Sequence, residues 1–153
     1  MHAHAGQEAH RPRLLFVDDE QRVLNSMRIM FRRQFELFLA SHGAEALDIV
    51  RDKDIDVIVA DHRMPKMTGV EVLSKVRAMS PRTVRILLTG YADLDAVEGS
   101  INESEVFRFL TKPCAPETVS RALSQLHTQG ILGFSGARQI MLRNRQRLQH
   151  LDA

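Results

Sequence analysis

Short, nearly uninterrupted runs of branched and aromatic apolar residues constrain the fold of this 153-residue chain most strongly. Four such runs lie at 14–17, 55–60, 84–89 and 106–110, and a weaker fifth lies at 36–40. A strand with one face in solvent alternates apolar and polar residues, whereas a strand buried on both faces is apolar throughout. The runs therefore predict strands of a parallel sheet that helices cover.

Stretches with helical spacing separate these runs. Apolar residues recur at every third or fourth position in four of them, at 21–34, 44–51, 70–79 and 116–127. The stretch 93–102 is a weaker helix because Gly99 interrupts it and its apolar residues are few. Five strand–helix units in succession predict an α/β fold, a doubly wound five-stranded parallel sheet with helices on both faces.

The composition is that of a soluble globular protein. Hydrophobic residues make up 44% and charged residues 26% of the chain. The net charge of +2 is too small to indicate electrostatic binding to nucleic acid or to a membrane. No apolar run is long enough to span a membrane. The N-terminal stretch lacks the apolar centre of a secretion signal, so we expect a cytoplasmic protein without a membrane partner. Cys114 is the single cysteine and excludes an intrachain disulfide.

Both ends of the chain differ from the middle. Residues 1–12 are predicted to be a disordered tail, whose histidines could bind metal but have nothing nearby to fix a coordination geometry. Residues 129–153 form a C-terminal extension with a weak helical pattern, expected either as a solvated linker or as a helix that docks on the domain or pairs in a homodimer. Its arginines could contact nucleic acid, but without a binding motif or aromatic platform we predict no such partner.

Polar residues that could take part in binding or catalysis follow the predicted strands. They are Asp18 and Asp19 after the first strand, Asp61 after the third, Thr89 after the fourth and Lys112 after the fifth. In a parallel sheet all these positions fall on one edge, where ligands bind. We therefore expect a shared cleft, although one of the first two acids could instead cap the helix that begins at Gln21.

Three converging carboxylates need a cation, because like charges repel strongly where water is scarce. Mg²⁺ prefers oxygen ligands and keeps several waters, which suits an open acidic site, and no His or Cys cluster with zinc spacing is present. A carboxylate can attack phosphorus, and phosphoryl transfer needs mainly positioning and charge neutralisation. Asp61 is the candidate nucleophile, and Gly69 is expected to let the backbone of the following turn pass closely.

Four motifs in this order resemble the receiver domain of bacterial two-component response regulators, a family with the CheY-like, flavodoxin-like fold. The motifs are VDDE, VADHRMPKMTG, LTGYAD and FRFLTKP, and the resemblance spans residues 13–128. It implies that Asp61 accepts a phosphoryl group from a histidine kinase or a phosphotransfer protein. It also implies that Asp18 or Asp19 and Asp61 bind Mg²⁺, together with the backbone carbonyl of Arg63.

The same resemblance implies roles for residues around the acceptor. Thr89 and Lys112 would contact the phosphoryl group, and the Lys112–Pro113 bond would be cis. Phe109 would be a switch aromatic that turns inward as Thr89 moves, although ordinary packing on an edge strand explains it equally well. Arg63 and Tyr91 would flank the path of the hydrolytic water, and their bulk predicts a long-lived phosphoryl group. Output would pass through contacts with a downstream protein.

Three other functions stay open. The first is a Mg²⁺-dependent phosphatase or phosphotransferase with an Asp nucleophile, similar to haloacid-dehalogenase-type hydrolases. Those enzymes need a second Asp where this chain has Arg63, which disfavours this function. In such an enzyme His62 could be the general base, although a plain loop side chain is the simpler interpretation. The second is the N-terminal receiver of a longer regulator, since RMPKMTG and LTGYAD resemble receivers that precede cyclic-dinucleotide phosphodiesterase domains. The third is a scaffold that no longer accepts phosphate, which the intact acids, Thr89 and Lys112 disfavour.

Overall fold

The computed structural model of the protein describes residues 11–90, 92–95, 97, 108–112 and 115–128. Five strands form one sheet: β1 (Arg13–Val17), β2 (Glu36–Ala40), β3 (Val57–Asp61), β4 (Val84–Gly90) and β5 (Arg108–Lys112). All four neighbouring pairs are parallel, and the spatial order is β2-β1-β3-β4-β5. This is the flavodoxin-like strand order, so the predicted fold class is confirmed.

Helices cover both faces of the sheet. They are α1 (Gln21–Phe31), α2 (Gly43–Asp52), α3 (Gly69–Met79), a helical segment at 92–95 and 97 that we label α4, and α5 (Pro116–Thr128). Alternate residues of β1 point into two different apolar cores, one on each face of the sheet. Phe16 packs with α1 and α5, and Leu15 packs with α2 and α3. Side chains of successive strand residues point to opposite faces, which is why the nearly continuous apolar runs fill both layers.

Some element boundaries differ from the predicted ones. Asp61 and Thr89 are strand residues rather than the first residues after their strands, because each still pairs with the neighbouring strand. For the same reason β5 extends to Lys112. Helix α1 ends at Phe31 instead of residue 34, since the Phe31 carbonyl accepts hydrogen bonds from two later amides and closes a turn.

Several predictions lie wholly or partly outside the described residues. They concern most of the N-terminal tail, the extension at 129–153, and all of the predicted helix at 93–102 except 93–95 and 97. The domain boundaries at 12 and 128 thus stay predictions. Within the ranges that the structure describes, no helix combines the length and the apolar character needed to cross a membrane.

Candidate functional site

Three carboxylates meet at the carboxyl edge of the sheet. Asp61 is the last residue of β3, and Asp18 and Asp19 directly follow the neighbouring strand β1. Each offers one carboxylate oxygen, and these atoms all lie within 4.8 Å of one another. Asp18 and Asp61 are buried, at 0% and 3% exposure, whereas Asp19 is exposed. The structure therefore brings the predicted acids together in a cluster that solvent reaches from one side.

The start of the β1–α1 loop is held by hydrogen bonds. The Asp18 amide donates to the Ala40 carbonyl, which continues the β1–β2 ladder by one residue. One carboxylate oxygen of Asp18 accepts from the Glu20 amide at 2.9 Å. Glu20 occupies the N-cap of α1, so neither Asp18 nor Asp19 caps this helix. The alternative of an Asp cap is therefore wrong, because Asp18 accepts from the N-cap residue itself, ahead of the helix.

The chain after the acceptor passes very close to it. The His62 amide donates to the Leu88 carbonyl, and the Gly69 amide donates to the His62 carbonyl at 2.9 Å. A Cβ atom on Gly69 would collide with the carbonyl oxygen of Asp61 and would lie 2.8 Å from Leu87 Cδ1. Only glycine fits at this close approach. The predicted role of Gly69 agrees with these contacts.

A strained turn and a capping box complete the β3–α3 loop. The Met67 amide donates to the Pro65 carbonyl at 2.7 Å, around a central Lys66 with φ of 71°. This is a γ-turn with its centre in the left-handed region, where a lysine is strained. Thr68 then caps α3: its hydroxyl accepts from the Glu71 amide, and the Glu71 carboxylate accepts from the Thr68 amide.

Thr89 lies on the other side of the acceptor strand. It is buried in β4 at 1% exposure, and its hydroxyl donates a long hydrogen bond of 3.4 Å to the Gly90 carbonyl. In the β4–β5 ladder Thr89 pairs with Thr111 and Gly90 pairs with Lys112. The backbone of Lys112 thus reaches the same edge of the sheet as Thr89.

Other predicted site residues are described only in part. The backbone of Phe109 pairs with Leu87 in β5, but the side chains of Phe109 and Lys112 lie outside the described part of the chain. Tyr91 and Pro113 lie outside the described residues altogether. Their predicted roles stay predictions.

An ion pair that the sequence did not suggest connects the loop after β3 with helix α4. Arg63 Nε donates to Asp93 Oδ2 at 2.6 Å, and an Nη atom of Arg63 donates to Asp93 Oδ1 at 2.9 Å. These hydrogen bonds hold the pKa of the Asp93 carboxyl below its ordinary value, although partial desolvation opposes the shift. They also raise the pKa of the Arg63 guanidinium. The two residues are 30 positions apart, and no sequence spacing signals such a pair.

His62 has a buried ring nitrogen. Within the described part of the chain its Nδ1 atom is enclosed and makes no hydrogen bond. A general base needs a partner that orients its ring and a path to the proton it abstracts. Among the described residues Nδ1 has no such partner, so this nitrogen is not set up as a general base.

Comparisons with known proteins agree with this site. The family model for the response regulator receiver domain matches residues 14–124. The chain belongs to this family. The match confirms the resemblance read from the four motifs and, with it, a role in two-component phosphorelay signalling.

Individual relatives show how this domain is used elsewhere. The chain is 33% identical over 121 residues to the hydrogenase transcriptional regulatory protein HoxA of Cupriavidus necator, covering 78% of the chain and 25% of HoxA. Among solved structures it resembles the adenylate cyclase from Rhodopirellula baltica (TM-score 0.73, 33% identity, 93% of this chain and 99% of that chain). It also resembles the receiver domain of an HD domain-containing protein from Pseudomonas fluorescens Pf-5 (TM-score 0.72, 28% identity, 90% and 94%). The chain thus spans only a quarter of HoxA.

Proposed function

We propose that this chain is a phosphorelay switch in which Asp61 accepts a phosphoryl group from a histidine kinase or a phosphotransfer protein. The observation that carries the proposal is the cluster of Asp18, Asp19 and Asp61 oxygens within 4.8 Å, in a chain of the receiver family. In the transfer, a carboxylate oxygen of Asp61 bonds to phosphorus and the phosphorus–nitrogen bond of the donor phosphohistidine breaks. The donor imidazole leaves and takes up a proton.

The acidic cluster fits Mg²⁺. Its donors are carboxylate oxygens, which this ion prefers, and their spread of 4.8 Å is near the separation of about 4 Å between opposite ligands of an ion with bonds of about 2.1 Å. We assign the side chains of Asp18, Asp19 and Asp61 and the backbone carbonyl of Arg63 as its ligands. When bound, the ion would neutralise charge on the carboxylates and on the incoming phosphoryl oxygens.

Residues of β4 and β5 would stabilise the phosphorylated state. The buried hydroxyl of Thr89 would turn from the Gly90 carbonyl, to which its bond is long, and donate to a phosphoryl oxygen. Lys112 would contribute a fixed positive charge, and Phe109 would act as the switch aromatic that follows Thr89. The new charge would thereby bias two arrangements of the surface around β5, a population shift.

This chemistry is regulatory rather than enzymatic. A phosphatase with an Asp nucleophile needs an acid/base residue two positions later, and this chain has Arg63 there. The Arg63 guanidinium is engaged by Asp93 in a bidentate pair, and an arginine does not release a proton at ordinary pH. We infer that the phosphoryl group leaves Asp61 slowly, without a dedicated general base.

We propose residues 13–128 as the switching unit, in a cytoplasmic protein whose output is a contact with a downstream protein or with a second copy of the chain. HoxA is a transcriptional regulator and the Pseudomonas protein contains an HD domain. Proteins that resemble this chain in sequence or structure thus have different outputs, so the output of this chain depends on what the switching unit contacts.

Phosphorylation by a small donor tests this function. The full chain is incubated with acetyl phosphate and Mg²⁺, and its intact mass is measured alongside that of the Asp61→Asn variant. We expect one added phosphoryl group in the native protein and none in the variant. Steady release of inorganic phosphate at many turnovers per chain would instead identify a phosphatase.

A further inference from the structure

The Arg63–Asp93 pair joins the loop after β3 to helix α4, which follows β4. Arg63 lies two residues beyond Asp61, and Asp93 lies in α4, three residues beyond the end of β4. Strands β3 and β4 are hydrogen-bonded neighbours, with Asp61 paired to Leu88. The pair therefore joins the segments that follow β3 and β4, at the edge of the sheet where these strands carry Asp61 and Thr89.

The geometry of this pair fixes the guanidinium more firmly than a single contact would. Two nitrogens of Arg63 donate to the two carboxylate oxygens of Asp93, at 2.6 and 2.9 Å. Two other ion pairs of the structure, Arg13–Glu36 and Arg51–Asp48, each have one such contact. A bidentate pair restricts both the position and the plane of the guanidinium.

The two partners differ in exposure. The side chain of Arg63 is 71% exposed, whereas that of Asp93 is only 18% exposed. Asp93 is thus the less exposed partner, on a helix, and Arg63 is the long, outward side chain that it holds. Without this anchor, the several rotatable bonds of an exposed arginine would let the guanidinium leave the rim.

We propose that Asp93 is a positioning residue that holds the Arg63 guanidinium across the rim and thereby slows hydrolysis of the phosphoryl group on Asp61. The inference rests on the proposed function, in which Asp61 is the acceptor. In hydrolysis a water oxygen bonds to phosphorus and the bond from phosphorus to the carboxylate oxygen breaks. The products are the Asp61 carboxylate and dihydrogen phosphate, which keeps both protons of the water. A guanidinium fixed at the rim narrows the approach of that water.

The expected effect is modest because the pair is partly open to solvent. Ion pairs of this kind change equilibria by about two- to fivefold. Loss of the anchor should therefore shorten the half-life of the phosphoryl group by about the same factor, provided that Arg63 acts through its held position. The effect should also vanish when Arg63 is absent.

Four variants of the full chain test the inference: Asp93→Asn, Arg63→Ala, the double variant, and Asp95→Asn as a matched control. Asp95 is exposed on the same helix and its substitution removes the same charge. Each protein is phosphorylated with acetyl phosphate at saturating Mg²⁺, the donor is removed, and loss of the phosphoryl mass is followed over time. Unfolding by urea is measured for each.

We expect Asp93→Asn to shorten the half-life about two- to fivefold, Asp95→Asn to leave it unchanged, and Asp93→Asn to add nothing to Arg63→Ala. A half-life in Asp93→Asn equal to or longer than that of the native protein would overturn the inference. So would an equal shortening with and without Arg63, since Asp93 would then act on stability alone. If the native protein accepts no phosphoryl group, the proposed function itself fails, which is a distinct result.

Discussion

Replacement of Gly69 by alanine tests how tightly the loop after the acceptor is built. The added Cβ would collide with the carbonyl oxygen of Asp61 and would lie 2.8 Å from Leu87 Cδ1. Ordinary contacts of a Cβ atom are 3.4 Å or longer, so the chain must move by several tenths of an ångström. The main obstacle is backbone, which no side-chain rotation relieves.

The magnitude follows from two opposing effects. Gly69 is the first residue of α3, where alanine would otherwise gain up to about 1 kcal/mol in helix propensity. Overpacking at a rigid site costs about 1–3 kcal/mol. We expect a net loss of about 1–2 kcal/mol in the free energy of unfolding, and a fall in Tm of about 2–4 °C for each kcal/mol in a chain of this size.

Gly90→Ala is the matched control. A Cβ atom at Gly90 has nothing within 4 Å, so this variant should unfold within about 0.5 kcal/mol of the native protein. Urea denaturation of the three proteins measures the difference, and intact mass after acetyl phosphate treatment measures acceptance by Asp61. We expect Gly69→Ala to accept the phosphoryl group more slowly, because its clash displaces the Asp61 backbone. Equal stability of the Gly69 and Gly90 variants would refute the close approach on which this reasoning depends.

Two further predictions concern the turn and the metal. Lys66→Gly should raise the free energy of unfolding by about 1 kcal/mol, since it relieves a left-handed lysine at φ of 71°. As the control, Lys75→Gly on the exposed face of α3 should lower the free energy of unfolding by a similar amount. If urea denaturation gave changes of the same sign for both variants, the turn at Lys66 would not be strained. Mg²⁺ at about a hundred times its Kd should stabilise the native protein by about 2.7 kcal/mol. Asp61→Asn should show a smaller gain in thermal scans, and an equal gain would place the ion elsewhere.

The fold was predictable because its signals are local and repeated. Apolar runs such as 84–89 are buried on both faces, and the order of strands and helices leaves few topologies for a parallel sheet. The convergence of Asp18, Asp19 and Asp61 followed from the same rule, since the ends of neighbouring parallel strands share an edge. Strand ends were less predictable: pairing with a neighbour extends β4 and β5 past their apolar residues.

The sequence does not predict features that depend on contacts in the folded chain. Asp93 was not singled out, because only the fold shows that it meets an arginine 30 residues away. The left-handed turn at Lys66 was also missed, since lysine carries no signal for positive φ. Glu20 in place of an aspartate as the N-cap of α1 shows a similar limit. Asp18 is a good capping residue by type, but its carboxylate accepts from the Glu20 amide instead.

Chemical location of the phosphoryl group shows directly whether Asp61 is the acceptor. Borohydride reduces an acyl phosphate of aspartate to the alcohol homoserine, and tandem mass spectrometry of the digested protein then identifies the residue converted. After treatment with acetyl phosphate and Mg²⁺, we expect homoserine at position 61 alone. Homoserine at position 18 or 19, or a phosphorylated chain that borohydride leaves unchanged, would contradict it.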